Sequence, residues 1–228
     1  MKEDSLGTGQ SPKKEAIGTA TRLSRRYLEA LRAGDGSGAY RIAARALREG
    51  MDVPGLYERV VAPAMHEIGA LWEKGALSVA DEHQATELTN RVLAALRPSP
   101  AIEVGVERAR AGTRSRALLA AVEGERHGLG SRMAADILED TGFETIYLGA
   151  DVPTGALLQA VAVTEPDLVV LAATMPELAP RLEEAATAVR KAHSGAEVLV
   201  GGRAASLLTA GGTPVQSFEL LPALAPRP

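Results

Sequence analysis

The sequence predicts an α + α/β protein in which a four-helix bundle is followed by a doubly wound parallel sheet. Apolar residues recur at three- and four-residue spacing as far as Leu96, which is typical of amphipathic helices. The segment Arg97-Pro98-Ser99-Pro100 ends this pattern. Beyond it, short apolar runs of β type alternate with helical segments, as expected for a parallel sheet covered by helices on both faces.

The helical half is expected to follow a mobile tail over residues 1–18, where no hydrophobic periodicity occurs. The bundle is predicted over residues 19–97, and its first three helices end at Gly34, Gly50 and Gly75. Because short connections join neighbouring helices, an antiparallel arrangement is the simplest. The predicted helices cover residues 20–31, 38–49, 54–72 and 78–96, and Ser78 with Asp81 forms a capping box at the start of the last.

The sheet half, over residues 101–220, is predicted to be a flavodoxin-like or Rossmann-like domain. Its ligand should lie beyond the carboxyl ends of the strands. The predicted strands cover residues 117–122, 144–148, 168–173 and 197–200, with a weaker candidate at 214–218. The predicted crossover helices cover residues 131–140, 154–163, 177–192 and 204–208.

The composition excludes several classes of function. The 228 residues include 25 basic and 29 acidic side chains, so the positive excess needed to bind a nucleic-acid backbone is missing. There is no Cys, which removes disulfides, thiolate nucleophiles and zinc fingers. No apolar stretch is long enough for a membrane span or a signal peptide, so we expect a soluble cytoplasmic protein.

One histidine follows the first predicted strand, at the edge where α/β domains bind ligands. The segment reads Glu125-Arg126-His127-Gly128-Leu129-Gly130. An exposed His127 could bind a metal through one ring nitrogen while Glu125 orients the other. Gly128 and Gly130 remove side chains, which lets a bulky group approach the strand end. By spacing alone, a loop histidine that caps the next helix explains the pattern equally well.

The order of these features resembles the cobalamin-binding domain family. Its pattern of Asp or Glu, x, His, x, x, Gly follows the first strand, and the pair Gly201-Gly202 follows the fourth strand here. The resemblance implies that His127 is the lower ligand of the cobalt and that the two glycines leave room for the displaced nucleotide tail. It also implies cofactor contacts at Glu125, Arg126, Gly128, Leu129, Gly130 and Val152.

The third strand departs from that family. Members commonly have a serine near its end that contacts the nucleotide tail, whereas this chain has Ala172. Thr174 is the alternative source of a hydroxyl; without it the tail pocket would be weaker. Both residues are predicted to lie against the cofactor.

The helical half carries a second match. Trp72 and Val79 are followed by the pair Glu82-His83, and this spacing resembles the cap of the CarH-type light-sensing regulators, which depend on adenosylcobalamin. The resemblance implies that these residues cover the upper axial group. Taken separately, each has a simpler explanation: Trp72 in the bundle core, Glu82 as a solvated first-turn acid, and His83 as an interhelical hydrogen-bond partner.

Two departures limit what this second resemblance implies. Glu73 stands where light-sensing members have a histidine that can bind cobalt after the upper group is lost. No helix-turn-helix pattern precedes the predicted bundle, so direct DNA binding is not expected. The output is expected to be self-association or contact with a protein signalling partner.

These observations favour a non-enzymatic, adenosylcobalamin-dependent photoreceptor module. Photocobilins look similar and bind a bilin beside the cobalamin, so a bilin such as biliverdin, held without a thioether link, is a further expectation. The alternative is a corrinoid carrier protein of a methyltransferase system, in which the cobalt shuttles a methyl group between enzymes. A mutase small subunit and a cofactor-free interaction module rank lower, and no residue is assigned as catalytic.

Overall fold

The computed structural model describes residues 12–97 and 115–224. The chain divides into two compact units. The helical unit takes in the described residues up to Asp52 together with Arg59–Leu96. The α/β unit takes in Val53–Glu58 and the described residues from Arg97 onward.

The helical unit consists of amphipathic helices whose apolar faces are buried. Tyr27, Leu31, Ile68 and Leu93 are each at most 1% exposed, so they form the centre of its core. α1 contacts α2, α4 and α5, and α5 also contacts α2 and α4. Its helices are α1 (Pro12–Arg32), α2 (Gly36–Arg48), α4 (Ala62–Glu73) and α5 (Val79–Leu96). Between α2 and α4 the chain forms α3 (Val53–Leu56), which belongs to the α/β unit, and a π-helical turn (Tyr57–Val61) that begins in that unit.

Local signals in the sequence place the helix ends. Asp35 Oδ1 accepts a hydrogen bond from Gly38 N at 2.7 Å and so caps α2. Ser78 Oγ accepts from Asp81 N at 3.2 Å, and Asp81 Oδ2 accepts from Ser78 N at 2.8 Å, which is the predicted capping box. Gly75, with a φ of 70°, follows the end of α4.

The prediction for the N-terminal tail is wrong in part. α1 begins at Pro12, so residues 12–18 are helical. Proline is favoured in a first turn, and the Lys-Lys-Glu that follows has good helix propensity, so the helix forms there without apolar periodicity. The rest of the predicted tail, residues 1–11, lies outside the described residues, as does the predicted domain start at residue 101.

The α/β unit is built on a parallel sheet with the order β2-β1-β3-β4-β5. This is the flavodoxin-like order, and the direction of winding changes between β1 and β3. The carboxyl ends of these two central strands therefore form the crevice where such folds bind ligands. The strands are β1 (Arg116–Ala121), β2 (Glu144–Tyr147), β3 (Leu168–Ala172), β4 (Glu197–Gly201) and β5 (Thr213–Pro214).

Helices cover the sheet: α6 (Leu129–Thr141), α7 (Thr154–Thr164) and α8 (Ala179–Ala192). Two predicted elements differ from the structure. The helix predicted at 204–208 is a 3-10 helix, Arg203–Leu207. The strand predicted at 214–218 is the two-residue β5, Thr213–Pro214, an edge strand in which a proline is tolerated. A 3-10 helix over Phe218–Leu224 extends the unit beyond the predicted end at 220.

Two short segments predicted to be part of the bundle belong to the α/β unit. Tyr57 donates its hydroxyl hydrogen to Asp136 Oδ2 at 3.0 Å, and Arg97 Nη1 lies 2.5 Å from Asp136 Oδ1. Glu58 Oε2 accepts a hydrogen bond from Phe218 N at 2.8 Å. Bonds to the carboxylates of Asp136 and Glu58 thus hold both segments in the α/β unit.

The order of a helical region followed by a parallel α/β domain is confirmed. The antiparallel arrangement of the helices as a four-helix bundle stays a prediction. Within residues 12–97 and 115–224, no helix has both the length and the apolar character required to cross a membrane.

Candidate functional site

The loops after β1 and β3 meet at the crevice of the sheet. Ala121 pairs with Ala172 in the parallel register, and Val122 N donates to Ala172 O at 3.1 Å. The first loop then runs through Glu125 and His127 to the start of α6. The second runs through Thr174 into a short 3-10 helix. Residues predicted for one site from distant parts of the sequence are therefore neighbours.

Glu125 joins the two loops. Its side chain is fully buried, and Oε1 accepts a hydrogen bond from His127 N at 2.8 Å. Oε2 accepts from Thr174 N at 2.5 Å and from Met175 N at 3.2 Å. A buried carboxylate is costly unless it is hydrogen-bonded, and here both oxygens have donors.

These bonds set the charge of Glu125. Burial alone would raise the pKa of the carboxyl, but hydrogen bonds from the His127 side chain and from the amides of His127, Thr174 and Met175 outweigh it and lower the pKa to about 2. The carboxylate is therefore ionised at neutral pH. A fixed negative charge lies directly behind the imidazole.

His127 is oriented by that carboxylate. Its Nδ1 lies 2.5 Å from Glu125 Oε1, and 54% of the side chain is exposed. With Nδ1 bound to a carboxylate, Nε2 is the nitrogen that would bind a metal, and the carboxylate fixes the tautomer and raises the basicity of the ring. The alternative of a helix-capping histidine does not hold, because the N-cap residue of α6 is Gly128.

Two glycines of the predicted site have close neighbours, and one of them, Gly202, is required by the fold itself. A Cβ on Gly202, which has a φ of 84°, would lie 2.2 Å from Ala173 O. A Cβ on Gly128 would lie 2.9 Å from the Tyr147 hydroxyl oxygen, and this hydroxyl donates to Gly128 O at 2.8 Å. Backbone therefore approaches Gly202 too closely for a side chain, whereas at Gly128 the neighbour is the end of the Tyr147 side chain, which can shift.

The other two predicted glycines border open space. A Cβ on Gly130 or Gly201 would meet no atom within 4 Å. Neither position has a positive φ, so the fold does not require a glycine there. Room at these positions suits the predicted approach of a bulky group.

The remaining predicted residues of the α/β unit surround the same crevice. Arg126 is exposed, whereas Leu129 is half-buried at the first position of α6. Val152 is half-buried and forms a bridge with Val122 beyond the end of β1. Ala172 and Thr174 are half-buried where β3 ends. Thr174 acts in this network through its backbone N–H, a role that the sequence did not reveal.

The predicted cap residues lie in the helical unit, where Trp72, Val79 and His83 are exposed and Glu82 is half-buried. Trp72, in the last turn of α4, is 44% exposed, and Val79, the first residue of α5, is 54% exposed. Glu82 Oε2 lies 2.6 Å from His83 Nδ1, and Glu82 Oε1 accepts from Thr86 Oγ1 at 2.9 Å. Trp72 is thus no core residue, and the recorded hydrogen-bond partner of His83 is its own neighbour.

Sequence reasoning missed three residues that support the crevice. Met175 contributes an amide, Tyr147 contributes a hydroxyl, and Asp151 Oδ1 accepts from Gly124 N at 2.7 Å. A hydrogen bond from the backbone amide of Met175 to a side chain 50 residues away leaves no pattern in the sequence. For Asp151 a signal was present, because a Gly-Ala-Asp turn follows the second strand at the ligand-binding edge.

Comparison with protein families agrees with this geometry. Two family models, each described as a B12 binding domain, match residues 23–97 and 115–211. Together the two ranges take in most of the chain. This chain belongs to the B12-binding domain proteins. Cobalamin is therefore the type of cofactor that the chain binds.

Relatives with curated functions fall into two groups. The chain is 32% identical over 151 residues to the HTH-type transcriptional repressor CarH of Myxococcus xanthus, covering 65% of this chain and 47% of that protein. It is 27% identical over 139 residues to trimethylamine corrinoid protein 1 of Methanosarcina mazei, covering 60% of this chain and 62% of that protein. The match thus spans less than two thirds of either relative.

A solved structure shows the same fold. The monomethylamine corrinoid protein of Methanosarcina barkeri superposes with a TM-score of 0.65 at 18% identity, covering 90% of this chain and 97% of that one. The B12-binding membership and this likeness confirm the predicted fold class.

The described residues fit a cobalamin. Glu125 and His127 supply one oriented imidazole, which is what cobalt needs when its other ligands belong to the cofactor. The open space at Gly201 and Gly130 accommodates a large group beside the strand ends.

Proposed function

We propose that this chain is a non-enzymatic light-sensing module that binds adenosylcobalamin in the cytoplasm. The observation that carries the proposal is the Glu125–His127 pair at the sheet crevice, which provides a lower ligand for cobalt. The light-sensing part is supported by the CarH-like spacing of Trp72 and Glu82 and by the exposed indole of Trp72.

Each side chain has a distinct task in this proposal. His127 binds cobalt through Nε2, and Glu125 holds the ring in place. Trp72 excludes water from the upper group with its indole, and Glu82 accepts hydrogen bonds from the hydroxyls of that group. Bound adenosylcobalamin supplies a cobalt–carbon bond that light breaks.

The output follows from differential contacts. Contacts to the upper group would exist only before illumination, so its departure would remove them from Trp72 and Glu82, while Glu82 keeps its bonds to His83 and Thr86. A ligand shifts a conformational equilibrium only through contacts that differ between the two states. The helical surface then changes its affinity for a second copy of the chain or for a protein signalling partner.

Glu73 distinguishes this chain from the light sensors that carry a histidine there. It is exposed in the last position of α4, next to Trp72. A carboxylate cannot provide a second imidazole to cobalt. We therefore expect the illuminated state to keep His127 as its single histidine ligand.

A bilin such as biliverdin is a second element of the proposal. A groove of about 580 Å³ lies between α2 and α5, lined by Tyr40, Leu88 and Val92 with Arg41 and Arg91. A linear tetrapyrrole offers an apolar ring system and two carboxylates, which match these apolar side chains and guanidinium groups. Biliverdin mixed with the full chain should show a structured red absorption band. The same band should be missing when biliverdin is mixed with the double variant Arg41→Ala/Arg91→Ala. An unchanged spectrum of free biliverdin would remove this element.

The second candidate function is a corrinoid carrier of a methyltransferase system. The similarity to trimethylamine corrinoid protein 1 favours it. A carrier must expose its upper face to partner enzymes, so Trp72 and Glu82 would then make no difference to cofactor choice. The two functions are separated by the upper group that the chain retains.

The test is an absorption spectrum of the full chain mixed in darkness with adenosylcobalamin or methylcobalamin, desalted, and recorded before and after green light. Retained adenosylcobalamin that photoconverts, with the spectrum of histidine-bound cobalt, is the expected result. Retention of methylcobalamin alone would favour the carrier. Retention of no corrinoid would overturn the proposal.

A matched pair of variants assigns the ligand. His127→Ala should lose the spectrum of histidine-bound cobalt, because it removes the imidazole held by Glu125. His66→Ala, which changes an exposed histidine of α4, should retain it. Equal spectra for both variants would show that His127 is not the lower ligand.

A further inference from the structure

We infer that Asp151 is a positioning residue for the loop that carries His127. It holds the backbone of Gly124 and Glu125 by combining a left-handed backbone conformation with a carboxylate that accepts a hydrogen bond. Few residue types offer both. This inference rests on the proposed role of His127 as cobalt ligand. Asp151 acts on this loop through the backbone of Gly124 and Glu125.

The first observation is the backbone of Asp151. Its φ is 56°, in the left-handed region that L residues other than Asn and Asp avoid. Among the described residues, Glu165 is the other non-glycine with a positive φ. Glu165 is the C-cap of α7 and donates its N–H to Val161 O, so the end of a helix accounts for it. Asp151 has no such explanation, because it lies within the connection from β2 to α7.

The second observation is what this conformation achieves. Asp151 N donates to Glu125 O at 2.8 Å, and Asp151 Oδ1 accepts from Gly124 N at 2.7 Å. The two bonds hold consecutive residues of the β1 loop. Gly124 itself has a φ of 88°, so the loop turns sharply where Asp151 holds it.

The third observation separates this role from the stability of the fold. The connection is already fixed next to Asp151, where Val152 N donates to Ala121 O at 3.1 Å and Val152 bridges Val122. Asp151 is exposed and buries no apolar surface. A glycine would adopt its φ without strain. The carboxylate therefore adds a constraint on Gly124 that the sheet does not need, while the bond to Glu125 O comes from the Asp151 backbone N–H and is kept in a glycine variant.

The link to cobalt runs through Glu125. Its side chain holds Nδ1 of His127, and Asp151 holds its carbonyl and the preceding amide. Outer partners of a metal-bound histidine commonly change affinity by about ten-fold or more when removed. Asp151 is one residue further from the metal than Glu125, so its effect should be at the lower end of that range.

Three substitutions of Asp151 separate the effect of its left-handed backbone from the effect of its side-chain oxygen, which accepts from Gly124 N. Asp151→Asn keeps both a tolerated left-handed φ and an oxygen for Gly124 N. Asp151→Gly keeps the φ and removes the acceptor, and Asp151→Ala removes both. The measurements are the adenosylcobalamin affinity of the full chain, the spectrum of histidine-bound cobalt, and the thermal unfolding midpoint without cofactor.

We expect Asp151→Gly to lower the affinity about ten-fold, with a weakened histidine-bound spectrum and an unfolding midpoint close to that of the unchanged chain. Asp151→Asn should restore affinity and spectrum. Unchanged affinity and spectrum in Asp151→Gly would overturn the inference. So would an affinity loss that only follows a lower unfolding midpoint, because the residue would then be structural.

A measurement without cofactor keeps this test independent of the proposed function. Amide hydrogen exchange over residues 123–128 of the cofactor-free chain should become faster in Asp151→Gly but not in Asp151→Asn, since the Gly124 N–H loses its acceptor. If the unchanged chain binds no corrinoid, the proposed function fails by itself. Equal exchange in the two variants would refute the positioning role even then.

Discussion

The residues proposed for the cofactor in the α/β unit and those proposed in the helical unit differ in how the protein holds them. In the α/β unit, Glu125 is fully buried and receives donors on both oxygens. In the helical unit, Trp72 is 44% exposed, and 74% of the His83 side chain is exposed. The carboxylate that orients His127, the proposed lower ligand, is therefore fixed by the fold, whereas Trp72 and His83, proposed for the upper face, are left largely exposed.

This difference matches the requirements of a switch. A ligand that must stay bound needs a site whose geometry is set in advance, because preorganisation reduces the cost of binding. A group that must leave on illumination needs contacts that exist in one state and not in the other. Substitutions of the buried Glu125 or of Gly202 should therefore affect folding and binding together, whereas those at Trp72 and Glu82 should affect binding and the response to light.

The largest effect is expected at Gly202. Gly202→Ala would place a Cβ against Ala173 O and force alanine to a φ of 84°. The strain and overpacking should lower the free energy of unfolding by about 4 kcal/mol, measured by urea denaturation.

Gly201 provides the matched control. Its Cβ would meet no atom, so Gly201→Ala should leave unfolding unchanged but reduce corrinoid affinity, because it fills space beside the strand ends. Equal stability of the two variants would show that the crevice is not fixed at Gly202.

The second effect is the pH dependence of Glu125. Its pKa is lowered to about 2 in the folded chain, whereas the ordinary pKa of a glutamate side chain is 4.5. A lowered pKa gives stability that is present in full above about 4.5 and is lost as the pH falls toward 2. The loss should be about 3 kcal/mol, at 1.4 kcal/mol for each pH unit.

Other carboxylates titrate in the same range, so the comparison with Glu125→Gln isolates this contribution. The variant should be less stable at neutral pH, because an amide nitrogen cannot accept from the Thr174 and Met175 amides. Its deficit should shrink on acidification. A deficit that stays constant down to pH 3 would contradict the lowered pKa.

Trp72 should show a smaller effect that depends on the ligand. Because the indole is partly exposed, Trp72→Ala should change the unfolding free energy little. Its affinity for adenosylcobalamin should fall about ten-fold, while its affinity for hydroxocobalamin, which lacks the large upper group, should not change. Equilibrium dialysis against both corrinoids measures this difference, and equal losses for both would argue against a cap.

The sequence was sufficient for features that depend on neighbouring residues. The first strand, predicted at 117–122, is Arg116–Ala121, and the Ser78–Asp81 capping box forms as expected. Glu125 and His127 share one loop, so their contact could be inferred from spacing. Helix periodicity and caps act within a few residues and can be read directly.

Features that depend on distant contacts could not be read in this way. The amide of Thr174 reaches Glu125 across 49 residues, and nothing in its side chain signals that bond. The apolar periodicity continues unbroken through residues 53–58, although these residues belong to the α/β unit. Tertiary hydrogen bonds, such as that from Tyr57 to Asp136, decide this assignment.

The smallest expected effect concerns the helix that carries Glu82 and His83. Ser78 caps α5 through Asp81 N, so Ser78→Ala should cost about 1 kcal/mol of unfolding free energy. The hydrogen bonds from Ser78 also lower the pKa of Asp81, so the variant should raise that pKa, measurable by NMR titration. Because the first turn of α5 then frays, adenosylcobalamin affinity should fall slightly while the histidine-bound spectrum from His127 stays unchanged. A loss of that spectrum would mean that the helical residues help to hold the lower ligand, and the contrast between the two regions would disappear.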